Sequence, residues 1–330
     1  MSVTICNFPP VRSNTPTRRE TVSAEKNPND TREQELWERI STSEGAERAE
    51  VLDELSHIAY NRSSYTECLN LIESSLDIYF KLGGAENYLS EMTHLYEGKA
   101  HCLENLKRMQ EVAETFEIIV QLKALAQDDE GQIEATRSAA RAWYDVKEWQ
   151  KSLDGHTAAI AMIDPDATPF SRGIDLINVG MAQAKLELFD EAIANYLSAR
   201  SHFKEAKNPE YVKWCDNYLA LAYIEVKNGQ EAKFHSLHYL NYTKVAMDPI
   251  MEGYARFRLG LSHLLCEEYA EAEEHLARSL ELLTFESDKD WEDIVAINKG
   301  LAQVLTALGR ENEASERLER ISTIEETISV

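Results

Sequence analysis

Helix breakers are scarce in this sequence once its first thirty residues are passed. It holds thirteen glycines and eight prolines in 330 residues, and four of the prolines, Pro9, Pro10, Pro16 and Pro28, fall before residue 31. A body so poor in breakers is expected to be all-helical. Cysteine is also sparse: Cys6, Cys68, Cys102, Cys215 and Cys266 are odd in number, widely spaced and form no CxxC pair. That excludes a disulfide framework and suggests reduced packing residues. Basic residues are outnumbered, 34 against 58 acidic, for a net charge of −24. An acidic surface repels phosphate backbones, so nucleic acid is not an expected partner.

No run of eighteen or more apolar residues exists, which excludes a membrane-spanning helix, and no membrane partner is expected. Met1 to Pro10 lacks the basic start and long apolar run of a signal peptide, and the expected location is cytoplasmic. Two glycosylation sequons, at Asn61 and Asn241, have no use there. Catalytic signatures are absent too: there is no GxSxG, Walker loop, HExxH or glycine-rich phosphate loop. The expectation is a non-enzymatic protein with no cofactor and no metal site. His235 and His238 stand three apart on one predicted helix, but their sequence neighbours supply none of the further ligands a closed metal site needs.

What the sequence does contain is a repeat. In Val179-Gly180-Met181, then Phe189-Asp190-Glu191-Ala192, Tyr196 and Ala199, a small residue on one helix is followed twelve positions later by a small residue on the next. The same pair recurs as Ser56/Cys68, Ala100/Val112, Ala140/Ser152, Gly180/Ala192, Ala220/Ala232, Gly260/Ala272 and Ala302/Ala314, in steps of 44, 40, 40, 40, 40 and 42 residues. A bulky side chain or histidine follows four after the second anchor in Ile72, Phe116, His156, Tyr196, Leu276 and Leu318. Each copy reads as a helical hairpin whose two helices cross at small residues.

On these residues, and best in Leu188-Phe189-Asp190-Glu191-Ala192-Ile193 and Glu268-Tyr269-Ala270-Glu271-Ala272-Glu273, the chain resembles the tetratricopeptide-repeat family. The copies run to 40 residues where the common repeat has about 34. This longer form resembles the repeats of kinesin light chains and of bacterial peptide-sensing regulators. The resemblance implies a right-handed superhelical solenoid of about seven hairpins, with a short capping helix before them. The expected organisation is a disordered tail over 1–30, a capping helix over 31–45 and the repeat array over 46–330. The tail is rich in Pro, Ser, Thr and Asn and too poor in large apolar groups to offset the entropy of ordering.

The family resemblance also implies which positions of each first helix line the concave groove: one after the small anchor, and three and six before it. The third hairpin contributes Arg141, Arg137 and Glu134, and the fourth Met181, Ile177 and Ile174, with Lys185 further along. The fifth and sixth contribute Leu221, Asn217 and Trp214, then Leu261, Phe257 and Tyr254. The first two give polar sets, His57, Asp53 and Glu50, then His101, Glu97 and His94; the last gives Gln303, Lys299 and Ala296. An apolar and aromatic middle flanked by polar ends has the form of a binding site. Periodicity equally allows Trp214, Tyr254 and Phe257 to be core, and Arg137 and Arg141 to pair internally with Glu134 and Asp145. The functional expectation is an interaction scaffold that binds a peptide or helix of a protein partner. Its alternative is a peptide-responsive regulator without a DNA-binding domain of its own.

Overall fold

The computed structural model describes residues 28–163, 168–284 and 291–328. The expected tail lies outside the described residues, except for its last three positions, which already belong to a helix. Fifteen helices and no strand occur among the described residues. After α1 (Pro28–Ile40) the chain folds as seven hairpins. In order they are α2 (Gly45–Asn61) with α3 (Tyr65–Lys81), α4 (Ala85–Asn105) with α5 (Met109–Leu125), and α6 (Asp129–Asp145) with α7 (Trp149–Met162). Then come α8 (Pro169–Lys185) with α9 (Phe189–Glu205) and α10 (Pro209–Glu225) with α11 (Gly229–Ala246). The last two are α12 (Pro249–Leu265) with α13 (Tyr269–Thr284) and α14 (Trp291–Ala307) with α15 (Glu311–Ile328).

Local chemistry places the helix starts. Asp128, Thr168, Asn208 and Asp248, spaced forty apart, each accept a backbone N–H of the first turn that follows, and Pro169, Pro209 and Pro249 occupy first helical positions where no N–H is needed. The hairpins are held by the small anchors. All fourteen anchor residues are buried. At Gly180 and Gly260 a Cβ would come within 2.6 Å of Tyr196 and Leu276, the bulky residues four positions after the facing anchors. A small residue on one helix therefore makes room for a large one on its partner.

The helices gather into two compact units, the first ending at Pro165 and the second beginning at Asp166. In the first, an apolar core runs from Leu36 through Leu55, Ile72, Leu103 and Ile119 to Trp143. In the second, Phe257, Leu276, Ile297 and Leu301 centre a core at the carboxyl-terminal end, and Tyr239, Leu240, Ala255 and Leu259 form a smaller one. No described helix is long and apolar enough to cross a membrane.

Candidate functional site

In the second unit each first helix also touches the first helix of the next hairpin, α8 with α10, α10 with α12 and α12 with α14. The positions assigned to the groove lie along this row and divide by burial. Ile177, Met181, Asn217, Leu221 and Phe257 are buried, Phe257 within the core around Leu276. Ile174, Lys185, Trp214 and Tyr254 are half-buried. Phe257 thus belongs to the core and Tyr254 packs against it from a half-buried position, while Trp214, also six positions before its anchor, is half-buried.

Basic side chains sit against these two rings. The Lys213 ammonium lies 4.6 Å from the Trp214 ring centroid and 4.5 Å from that of Tyr242, in the range of a cation–π contact. Lys213 is 4% exposed and also pairs with Glu210, which accepts the Tyr242 hydroxyl. Burial opposes ionisation of Glu210, but the hydrogen bonds from Lys213 and Tyr242 prevail and hold its carboxyl below the ordinary value. The Arg258 guanidinium donates to the Tyr254 carbonyl at 2.9 Å and stands over its ring. One turn after Trp214, buried Asn217 leaves its Oδ1 without a protein partner. That oxygen is enclosed within the fold, on the face that carries Trp214.

Of the histidine pair of α11, His235 is satisfied within the fold and His238 is exposed, as the sequence suggested. His235 is buried with Nδ1 2.6 Å from Asp216 Oδ1, and Arg200 clamps the same carboxylate through Nε at 2.8 Å and an Nη at 3.2 Å. A guanidinium already neutralises Asp216, so this group is a buried structural network.

The first unit holds Arg137 and Arg141 on α6. Arg137 pairs with Glu134, as the internal alternative allowed. Arg141, 70% exposed, lies 3.7 Å from Glu104 of α4 instead of pairing with Asp145. Glu104 in turn approaches His101 at 3.5 Å, and its hydrogen bond to His101, aided by the charges of His101 and Arg141, lowers its carboxyl despite burial. Burial raises the Asp145 carboxyl against the pull of Arg141.

A cleft of ≈ 240 Å³ opens between α2 and α4, lined by Asp53, Ser56, His57, His94, Glu97 and His101 among others. Asp53 and His57 are one turn apart on α2, and His94 reaches them from α4. His57 Nε2 lies 3.1 Å from His94 Nε2, and the Asp53 oxygens lie 3.7 and 3.6 Å from the two nitrogens. The phase of the repeat had put all three residues on inner positions without showing that they meet.

Hairpins with a forty-residue repeat, small crossing residues and first helices in a row define a helical-repeat protein of the kind that stacks one unit on the next. Residues 253–326 match the family model for the tetratricopeptide repeat, so that stretch carries tetratricopeptide repeats. No curated protein matches the sequence. Among solved structures it is similar to a signal-transduction ATPase with numerous domains from Pyrococcus horikoshii that has a tetratricopeptide-repeat sensor (TM-score 0.63, 14% identity, 89% of this chain and 43% of that one). It is also similar to the apo form of RapI (0.58, 12%, 84% and 77%). A third is the apo form of the quorum sensor NprR from B. thuringiensis (0.56, 13%, 90% and 81%). At such identities the likeness concerns the fold.

Proposed function

We propose that this chain is a non-enzymatic interaction protein that binds a peptide or helix of a protein partner along the row of first helices in its second unit. The observation that carries the reading is the pair of half-buried rings, Trp214 and Tyr254, on successive first helices of that row. A bound segment lies along these rings. The rings and Ile174 suit its apolar side chains, since aromatic anchors supply most of the affinity of small interfaces. Half-exposed Lys185 adds a cationic side chain at the start of the row.

The test begins with a pull-down from native lysate and identification of the bound protein, followed by affinities of variants. Tyr254→Ala removes a half-buried ring of the row and is expected to weaken the partner by about 2 kcal/mol. Trp214→Ala is expected to weaken binding by a similar amount and also to lower the melt, because Lys213 stands over the ring. Unchanged affinity in both variants would end the proposal. The regulator alternative shares this binding event, and the fold it has in common with the quorum sensor NprR supports keeping it. It predicts in addition a change of solution scattering when the peptide binds.

A further inference from the structure

We propose that Asp53, His57 and His94 form a binding site for a divalent transition-metal ion of the zinc class, independent of the peptide reading above. The three side chains offer one donor atom each, all within 4.8 Å of one another. An ion bonded at about 2.0–2.2 Å to imidazole nitrogen and carboxylate oxygen, with bonds at roughly 90–110°, sets neighbouring donors about 2.8–3.6 Å apart. The separations, 3.1 Å between the two nitrogens, 3.7 Å from His57 to Asp53 Oδ1 and 3.6 Å from His94 to Asp53 Oδ2, lie near that spacing, each carboxylate oxygen facing a different imidazole. Without an ion, the facing Nε2 atoms share a single hydrogen bond, which uses one proton and leaves the nearby carboxylate without a strong donor. An ion instead satisfies both nitrogens and the carboxylate together.

Three further features support the site. Two imidazoles and a carboxylate are the donor set that borderline ions such as Zn²⁺ take in open sites, the remaining positions going to water or an incoming group. Ser56 donates its hydroxyl to the Asp53 carbonyl at 2.7 Å and keeps a long 3.4 Å approach to Oδ1, which places a polar neighbour beside the carboxylate. The cleft lining contains no lysine or arginine, and the nearby ammonium of Lys123 is paired with Glu97 and not with Asp53. The contrast with the other histidine pair is instructive: beside His235 the carboxylate is already held by Arg200, whereas Asp53 has no such clamp. His57 and His94 side chains are 57% and 54% exposed, which leaves an entry path. The expectation of no metal site failed to include this cluster because its third ligand comes from the next hairpin. An ion held here would tie α2 to α4 and thus hairpin to hairpin.

The experiment uses the full chain, stripped with a chelator and titrated with Zn²⁺ by calorimetry, with thermal melts in parallel. One equivalent is expected to bind and to raise the melt. His57→Gln, His94→Gln and Asp53→Asn should each weaken binding by at least roughly tenfold. Their exposed or half-exposed positions make these variants compatible with folding, which circular dichroism checks. His238→Gln, outside the cluster, should bind as the parent does. A Co²⁺-loaded sample should lack the near-ultraviolet thiolate charge-transfer band. Equal uptake by the parent and His94→Gln, no uptake at micromolar Zn²⁺, or a thiolate band placing the ion on a cysteine would each overturn the proposal.

Discussion

At the scale of the residue, the histidine at 156 shows how one position of the repeat acquires its own chemistry. It stands where other hairpins place Tyr196 or Leu276, four after the second anchor, and is 4% exposed. Burial above all, and then the charges of Arg137 and Arg141, push its imidazole down from 6.5 to about 4. Above pH 6.5 it is neutral both folded and unfolded, and contributes no pH dependence. As pH falls, the unfolded chain takes up the proton first, while the folded one resists until about pH 4. Stability should therefore drop through this window, by up to roughly 3 kcal/mol from this side chain. His156→Leu, compared with the parent by denaturant unfolding, should gain relative stability at pH 5 over pH 7. An identical difference at both pH values would show that the imidazole is not held neutral by the fold. The identity of the anchors was legible at this scale because spacing alone selects them. What His57, Asp53 and His94 do was not legible, because their meeting depends on the rotation of two helices about their own axes.

At the scale of the element, the turns explain why helix ends were harder to read than helix cores. In the turns within hairpins, Lys107, Lys147, Glu187, Lys227 and Glu267 adopt a left-handed backbone with φ between 58° and 66°, and only Gly309 supplies the residue best suited to it. Each is the fixed point of the same end motif: the N–H of Leu188 reaches Gln183 O at 2.9 Å, and that of Arg310 reaches Leu305 O at 2.9 Å. A glycine search of the sequence would miss most of these turns. The small anchors on either side locate them instead. The left-handed conformation costs a residue with a Cβ roughly 1 kcal/mol or more. A Cβ on Gly309 would meet nothing within 4 Å, so the backbone is the only source of strain there. Gly309→Ala is therefore expected to destabilise the protein by about 1 kcal/mol, measured by denaturant midpoint. A neutral result would mean that the last hairpin turn relaxes to another conformation at no cost.

At the scale of the whole molecule, the repeat count was legible and the grouping of the repeats was not. The step from Ala140 to Gly180 is forty residues, the same as the steps on either side, yet the boundary between the two compact units falls within it at Pro165 and Asp166. Periodicity reports that each hairpin resembles the next, whereas grouping depends on which hairpins bury surface against which, a quantity spread over many side chains. Each unit has its own apolar core, from Leu36 to Trp143 in one and around Phe257 and Leu276 in the other. In stacked repeats stability is close to a sum of intrinsic and nearest-neighbour contributions, so a set of three or four hairpins with its own core can stand alone. Residues 28–165 and 166–330, expressed separately, are accordingly expected to be helical by circular dichroism and to melt cooperatively. If neither half folds, the cooperative unit is the full array and the two cores depend on each other. If both fold and the partner found by pull-down binds the second half alone, the row of first helices that holds Trp214, Asn217 and Tyr254 is sufficient for recognition.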